Sequence, residues 1–239
     1  MRILQLSDSH LSSKKPERAA ELEACVSAIN AFDTMPDLVV HTGDIAHDGR
    51  IEEYQTARNL LDRLSVPYFV LAGNRDRRRN LVDVFADGRH LCSDMPFVQY
   101  AVEDFDIRLI MIDSMSEATN KGRLCKARLD HIERMVMADP SRPAAIFLHH
   151  PPFRVDVGPA PFNFEDWSEA EALLKLCDRL DEFLCLHSGH VHRSFETSIG
   201  DVPASVLSCL ASDLRWDHPN GPDGDHLPVF KMHDLSTSC

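Results

Sequence analysis

Short apolar segments of strand type alternate along this chain with segments of helical periodicity. Runs rich in Val, Ile, Leu and Phe predict strands over residues 2–6, 38–42, 68–72, 107–112, 144–148 and 183–187. Apolar residues three or four positions apart predict helices over residues 17–32, 52–64, 124–137 and 167–180. This alternation is typical of an α/β core with largely parallel strands. In such sheets, ligands gather at the carboxyl ends of the strands.

Five short blocks of Asp, Asn and His side chains follow predicted strands. They are Asp8-Ser9-His10, Gly43-Asp44, Gly73-Asn74, His149-His150 and Gly189-His190-Val191-His192. Because all five follow strands, we expect them to meet at one rim of the core. Their oxygen and nitrogen atoms are ligands that hard to borderline divalent metals accept. The sequence therefore predicts one site that holds two metal ions.

The bulk composition is that of a globular protein. With 239 residues, 44% of them hydrophobic and 26% charged, we expect a single domain over residues 1–239. Met1–Leu6 does not read as a signal peptide, and no apolar stretch approaches the roughly 20 residues of a membrane span. The seven cysteines form no CxxC pair. We therefore expect a reduced, cytoplasmic protein with no membrane partner. The net charge of -13 argues against a nucleic acid polymer as partner.

In their order and spacing, the blocks resemble the calcineurin-like metallophosphoesterase superfamily, whose motifs are D-x-H, GD, GNH, H and GHxH. The resemblance covers residues 8–192 and is closest to the bacterial class III cyclic-nucleotide phosphodiesterase branch. It implies an α/β fold, a four-layer αββα sandwich of two mixed β-sheets flanked by helices. In such a fold, we expect the segment from about residue 200 to 239 to complete the second sheet.

The resemblance also implies a set of metal ligands. Asp8, His10 and His192 would hold the first metal, Asn74, His149 and His190 the second, and Asp44 both. Two cations about 3.5–4 Å apart need a shared negative ligand to offset their repulsion. His149 is preferred over His150 because the family's ligand lies two positions before the proline, although adjacent histidines cannot be separated by sequence alone. These donors suit Mn or Fe, with Zn, Co or Ni as alternatives, better than Ca or Mg.

Position 75 departs from the family motif. The chain has Gly73-Asn74-Arg75-Asp76 where relatives have GNH, whose histidine is assigned charge stabilisation or protonation of the leaving group. Arginine stays protonated, with a pKa above about 12, but it matches phosphate oxygens well. We predict Arg75 and Asp44 as catalytic residues, and Arg75, Asn74 and His150 as substrate-binding residues. The alternative for Arg75 is a surface ion pair with Asp76. For the run 77–79, a solvated helix start is favoured over contact with a substrate phosphate.

The function implied is a binuclear-metal phosphodiesterase that hydrolyses small phosphodiesters, with 3',5'-cyclic nucleotides as the first candidate, by attack of a metal-bridging hydroxide. A broad-specificity enzyme acting on glycerophosphodiesters or phosphomonoesters is the alternative, and a non-catalytic scaffold of the same fold is less favoured. Apolar residues of the C-terminal region are expected in the core, with a homodimer or higher homo-oligomer interface as the other possibility. They are Phe195, Val206, Leu207, Leu210 and Leu214.

Overall fold

The computed structural model describes residues 1–87, 89–91, 96–157, 160–216 and 229–235. The helices are α1 (Pro16–Asn30), α2 (Ile51–Leu61), α3 (Arg78–Phe85), α4 (Lys126–Ala138) and α5 (Trp167–Cys177), and a short 3-10 turn covers Ser212–Leu214. The strands are β1 (Arg2–Leu6), β2 (Leu38–His41), β3 (Tyr68–Val70), β4 (Tyr100–Val102), β5 (Arg108–Ile112), β6 (Ala144–Leu148), β7 (Phe183–Ser188), β8 (Phe195–Ile199), β9 (Val202–Val206) and β10 (Lys231–Asp234).

The strands form two mixed sheets. The smaller sheet has the order β10-β1-β2-β3, in which β1, β2 and β3 are parallel and β10 is antiparallel to β1. The larger sheet has the order β4-β5-β6-β7-β9-β8, with parallel pairing from β5 to β9 and antiparallel strands at both edges. Because the motif blocks follow β1, β2, β3, β6 and β7, they all follow the carboxyl ends of parallel strands.

Alternate side chains of the larger sheet enter different cores. On β5, Leu109 and Met111 pack in the cluster that also contains the smaller sheet and helices α1 to α3. Ile110 and Ile112 point the other way and pack with the buried faces of α4 and α5. Both faces of the central strands β5 and β6 are therefore covered, and every residue of these two strands is buried. The layers run helix, sheet, sheet, helix, and this confirms the predicted α/β sandwich with helices flanking two mixed sheets.

The C-terminal part differs from the prediction in two respects. Only β9 joins the larger sheet, whereas β10 pairs with β1 in the smaller one, so the segment from residue 200 does not complete one sheet alone. The sequence over residues 205–210 also predicts extended structure, but β9 covers Val202–Val206 and ends there. Leu207, Cys209 and Leu210 are buried without being in a strand, and the backbone N–H of Leu210 donates to the carbonyl of Ser7. Residues 217–228 and 236–239 lie outside the described part.

Two elements, β4 and β8, were not predicted as regular structure, whereas α3 begins where the sequence predicted a helix start, at residues 77–79. Helix α3 begins with a polar run whose apolar face, including Leu81, Val82 and Phe85, covers the smaller sheet. Strands β4 and β8 are the edges of the larger sheet. Among the described residues, no helix combines the length and apolar character needed to cross a bilayer.

Candidate metal centre

The backbone bends sharply at the motif blocks. Among the described residues, every non-glycine residue with a positive φ belongs to these blocks: Asp8, His10, Asp44, His190 and His192, with φ between 45° and 74°. The left-handed conformation costs residues with a Cβ about 1–3 kcal/mol each, and such strain clusters at functional sites. The turns point the side chains inward just after the strands end. The fold therefore holds five strained residues to assemble one cluster of side chains.

One half of the cluster contains Asp8, His10 and His192. The Nε2 atoms of the two histidines are 3.0 Å apart, and His192 Nε2 lies 3.2 Å from Asp8 Oδ1. His192 Nδ1 donates to the carbonyl of Leu214, so Nε2 is the atom left for a ligand. Asp8 Oδ1 is buried and accepts no hydrogen bond in the described part of the chain. These nitrogen and oxygen atoms lie close together while the hydrogen-bonding capacity of Asp8 Oδ1 is left unused, as expected of a cation site.

The charge state of this half supports the same conclusion. Burial acts to raise the pKa of Asp8, but the close approach of His192 and the positive charge that neighbouring histidines can carry outweigh it and hold that pKa well below its usual value. Burial acts to lower the pKa of His192, but Asp8 outweighs that effect and raises it. Asp8 thus draws positive charge to the position between itself and the imidazoles. A metal cation would supply that charge.

The other half contains Asn74, His149 and His190. Asn74 Oδ1 lies 3.1 Å from His149 Nε2 and 2.9 Å from His190 Nδ1. His149 Nδ1 donates to the carbonyl of Thr42 over 2.9 Å, which leaves Nε2 facing the cluster. Burial lowers the pKa of His149, and it lowers the pKa of His190 to about 3. Both rings are therefore neutral at pH 7, the state in which histidine binds metals.

Asp44 lies between the two halves. Its Oδ2 is 3.5 Å from His10 Nε2 in the first half, and its Oδ1 is 3.6 Å from His149 Nε2 in the second. Burial, followed by the charges of Asp8 and Asp76, raises the pKa of Asp44 well above its usual value. An ionised carboxylate here needs positive charge on both sides. The structure thus brings all seven predicted metal ligands together, and their atoms fit a divalent metal centre.

Two glycines allow this close approach. A Cβ added at Gly73 would collide with the Asp44 carboxylate, and one added at Gly189 would collide with the Ser7 hydroxyl and lie 2.5 Å from Asp8 Oδ2. Because real Cβ atoms do not come so close, any side chain here would displace a carboxylate of the cluster. These glycines are therefore required for the space around the ligands.

Comparison with known proteins agrees with this geometry. The family model for calcineurin-like phosphoesterases matches residues 1–194. The chain belongs to the calcineurin-like phosphoesterase family. This confirms the resemblance seen in the motif blocks, and membership implies a divalent metal centre.

Relatives of this phosphoesterase divide between two named activities. The chain is 31% identical over 242 residues to a glycerophosphodiester phosphodiesterase, GpdQ, of Enterobacter lignolyticus, covering 97% of this chain and 84% of the relative. It is 27% identical to the 3',5'-cyclic adenosine monophosphate phosphodiesterase CpdA of Pseudomonas aeruginosa, covering 90% and 80%. A dimetal phosphatase from Danio rerio shares the fold, with a TM-score of 0.74 at 16% identity, covering 97% of this chain and 91% of that structure.

His150 has a different environment from its neighbour His149. Its Nδ1 accepts from the Ser114 hydroxyl at 2.9 Å, and its Nε2 donates to the carbonyl of Asn120 at 3.1 Å. Both ring nitrogens of His150 thus have partners within the protein, and one of them lies within 4.8 Å of ring nitrogens of His149 and His190. That His150 binds substrate stays a prediction. Its ring packs on His190, with centroids 4.4 Å apart.

Asp76 organises the loops of the phosphoesterase site and does not pair with Arg75. Its buried carboxylate accepts from the backbone N–H groups of Ile45, Ala46 and Gly73 and from the Tyr54 hydroxyl, over 2.8 to 3.2 Å. Burial outweighs these bonds and raises the pKa of Asp76 to about 6. The carboxylate thus joins the loop after β2 to the loop after β3, which carry Asp44 and Asn74.

Arg75 is exposed at the mouth of the site. Its backbone N–H donates to Asp44 Oδ1 over 2.7 Å, and its Nε donates to the carbonyl of His47 over 3.2 Å. Asn74 and Arg75 line one end of a groove of about 1030 Å³. The rest of the guanidinium faces this groove, which is large enough for a small-molecule substrate.

Arg18 is a residue that the sequence reasoning missed. It is 3% exposed, donates through Nη1 to the carbonyl of His10, and forms a two-point ion pair with Asp213. It thereby joins α1 to the 3-10 turn beside His192. A signal was present, because Arg18 lies four residues before Leu22 on the apolar stripe of α1. A charged residue on a buried stripe indicates a buried ion pair.

Proposed function

We propose that this protein is a binuclear-metal phosphodiesterase that hydrolyses small phosphodiesters, with 3',5'-cyclic nucleotides as the first candidate. The observation that carries the proposal is the position of Asp44, whose two carboxylate oxygens face separate sets of nitrogen and oxygen ligands. Phosphoric diester hydrolase is the enzyme class that the family and its phosphodiesterase relatives support.

In this proposal, Asp8, His10 and His192 hold one metal, Asn74, His149 and His190 hold the other, and Asp44 is shared. When bound, the two cations supply a Lewis acid for the phosphoryl oxygens and lower the pKa of water to near neutrality. Manganese or iron fits the mixed oxygen and nitrogen donors, with zinc, cobalt or nickel as alternatives. The chain itself contributes ligand orientation, through the Nδ1 bonds of His149 and His192 to backbone carbonyls.

Arg75 is proposed to bind the non-bridging oxygens of the scissile phosphate. Its backbone N–H forms a hydrogen bond to Asp44 and its side chain faces the groove. The positive charge of the guanidinium therefore lies at the entrance to the metal centre. A guanidinium stabilises charge that develops on these oxygens, but it does not give up a proton near pH 7. The leaving oxygen would then take its proton from water.

The pH dependence of the rate tests this role for Arg75. Wild type should show no basic limb that depends on residue 75, whereas Arg75→His should introduce one near the pKa of its imidazole. Arg79→His is the matched control, because Arg79 is highly exposed on the same segment. A basic limb in wild type that disappears in Arg75→Gln would contradict a purely electrostatic role.

Glycerophosphodiesters are the second candidate class of substrate. Their support is the glycerophosphodiester phosphodiesterase at 31% identity. Phosphomonoesters are the third class of substrate to be compared, because their hydrolysis at this site would also require two metals. A non-catalytic scaffold is disfavoured because the full ligand set is brought together. A cytoplasmic location, a homo-oligomer and the absence of membrane and nucleic acid partners stay predictions.

A substrate panel on metal-reconstituted protein tests the proposal. Cyclic nucleotides, glycerophosphodiesters, bis(p-nitrophenyl) phosphate and phosphomonoesters are compared with and without Mn²⁺. We expect metal-dependent turnover of diesters that is lost in Asn74→Ala and retained in Asn30→Ala, since Asn30 bonds to Arg63 and Ser65 away from the site. Turnover of no diester with any of the candidate metals would favour the scaffold instead.

A further inference from the structure

A second cavity lies beside the groove that leads to the metal centre. It has a volume of about 460 Å³, and its walls are formed by Lys14, Asp48, Gly49, Arg50, Arg77 and Asn80. We call this cavity the basic pocket. Asp48 and Arg77 line both the basic pocket and the groove, and the groove reaches Asn74 and Arg75. A ligand seated at the metal centre can therefore extend along the groove into the basic pocket.

The basic pocket carries excess positive charge in a protein whose net charge is -13. Lys14 and Arg50 share a single carboxylate oxygen, Asp48 Oδ2, at 3.7 and 3.9 Å. Arg77 forms no ion pair in the part of the chain that the structure describes. Three cationic side chains thus face one carboxylate. Since acidic proteins attract anions only where positive charge is concentrated, this concentration indicates an anion-binding site.

Arg77 is held in place by packing. Gly49 has a φ of +67°, and a Cβ there would lie 2.5 Å from Arg77 Cγ and 3.1 Å from Cδ. The aliphatic part of Arg77 therefore lies directly across the glycine. Its backbone N–H donates to the Tyr54 hydroxyl over 2.7 Å, and that hydroxyl bonds to Asp76. The network that positions Asn74 also positions Arg77, so the backbone and the aliphatic part of Arg77 have a fixed place relative to the metal centre.

We propose that the basic pocket is a subsite for a second phosphate group of the substrate. Two guanidinium groups and an ammonium group match a phosphate dianion, which arginine binds through paired hydrogen bonds. The inference rests on the proposed phosphodiesterase function and adds to its candidate substrates small diesters that carry an additional phosphate. A 3',5'-cyclic mononucleotide has a single phosphate and would leave the basic pocket to solvent.

A pair of chromogenic substrates that differ by one phosphate tests the subsite. The p-nitrophenyl ester of thymidine 5'-phosphate is compared with the same ester carrying a 3'-phosphate, on the Mn²⁺-loaded full chain. We expect the 3'-phosphate to lower KM about tenfold in wild type, as for hydrogen bonds between charged groups. Arg77→Gln should remove most of this advantage while kcat stays within about twofold, because the side chain is remote from the reacting atoms.

Two further variants separate the basic pocket from general charge effects. Lys14→Gln should reduce the advantage of the 3'-phosphate less than Arg77→Gln does, because Lys14 is 73% exposed. Arg79→Gln removes the same charge two residues further on, from a side chain that is 91% exposed and lies near Asp83, and it should leave the advantage unchanged.

Equal KM values for the two esters in wild type, or an equal loss in Arg77→Gln and Arg79→Gln, would overturn the subsite while the phosphodiesterase stands. Failure of the loaded wild type to hydrolyse either ester would instead count against the proposed function itself.

Discussion

Histidines gather at two buried places in this fold, and the contrast shows what makes a metal centre. At the first, His10, His149, His190 and His192 turn their ring nitrogens toward one another and toward carboxylate and amide oxygens. At the second, His187 of β7 stacks on His233 of β10, with ring centroids 3.6 Å apart. We call the second place the inter-sheet pair.

Among the described residues, the inter-sheet pair forms hydrogen bonds to ordinary polar groups and to no carboxylate. His187 Nδ1 bonds to the Ser205 hydroxyl, and His233 Nε2 bonds to the Gln5 side chain, whose amide in turn donates to the carbonyl of Ser188. Burial lowers the pKa of His187 well below its usual value and that of His233 to about 3. Burial, and a pKa lowered by it, are thus shared by the inter-sheet pair and by His10, His149 and His190 of the first place. What distinguishes the metal centre is the convergence of nitrogen atoms on buried carboxylates.

The largest expected effect comes from removing the shared charge with Asp44→Asn. Asparagine keeps the size of the side chain and an oxygen for the Arg75 N–H, but it no longer neutralises two cations. We expect activity to fall by at least about a thousandfold, equivalent to about 4 kcal/mol of transition-state stabilisation. In EDTA the same variant should melt higher than wild type, because it removes a buried carboxylate whose pKa is raised by burial and by negative neighbours.

Activity with metal and melting temperature in EDTA, measured on one preparation, check both the expected loss of activity and the expected rise in stability. Asp83→Asn is the control, since Asp83 lies on the groove wall with half its side chain exposed. A lower melting temperature for Asp44→Asn in EDTA would show that the carboxylate stabilises the fold in its own right. The metal centre would then stabilise the fold by itself, and this difference from the inter-sheet pair would be lost.

A smaller effect is expected from His150→Gln. The histidine touches the ligand ring of His190 but has both nitrogens bonded elsewhere, so we assign it to positioning. Loss of such a partner lowers metal affinity or activity by about 10–100-fold. The decisive readout is the Mn²⁺ concentration for half-maximal activity, which should rise while KM for a diester changes little. His90→Gln, at an exposed pair of carboxylates, is the control.

An increase in KM without a change in the metal requirement would support the prediction that His150 contacts substrate. Either result separates the two adjacent histidines, which the sequence could not do.

The sequence predicted well which side chains gather at one rim of the core, because the relevant information is local. Each block combines a ligand residue with the end of an apolar strand, and parallel strands place such ends together. The partners of His150 could not be predicted, because Ser114 and Asn120 reach it from a loop after β5 through tertiary contact. The role of Asp76 also depends on three backbone N–H groups from two loops. Side-chain type fixes what a residue can bind, but only the fold determines which partner it meets.

Regular structure was predicted best where both faces of an element are buried. Strands β1, β2 and β6 are mostly apolar and almost entirely buried, and their observed positions match the prediction to within one residue. Strand β8 alternates between half-buried and exposed residues at the edge of a sheet, so its apolar signal is weak. Conversely, Leu207, Cys209 and Leu210 are apolar and buried next to the Asp8 loop without forming a strand, so burial alone does not make a strand.

The smallest effect expected is a change in acid sensitivity at the inter-sheet pair. Because the pKa of His233 falls to about 3 in the folded protein from an ordinary 6.5, the unfolded chain binds the extra proton first as pH falls. Its contribution to stability is therefore complete above about pH 6.5 and is lost as pH decreases toward 3, by at most about 1.4 kcal/mol per pH unit. His233→Gln should flatten the dependence of the free energy of unfolding on pH by about 1 kcal/mol per unit between pH 6 and pH 4.

Urea unfolding in EDTA at several pH values measures this slope. Glutamine at position 233 can still donate to Gln5, so the inter-sheet hydrogen bond does not have to be lost along with the charge. His131→Gln on α4 is the comparison: burial lowers the pKa of His131 as well, but its ring is only half-buried, so the slope should change less than in His233→Gln. Adding Mn²⁺ should stabilise wild type and His233→Gln equally, because the inter-sheet pair provides no ligand. A metal-induced stabilisation that depends on residue 233 would mean that the two histidine clusters are coupled through β7, and the contrast between them would fail.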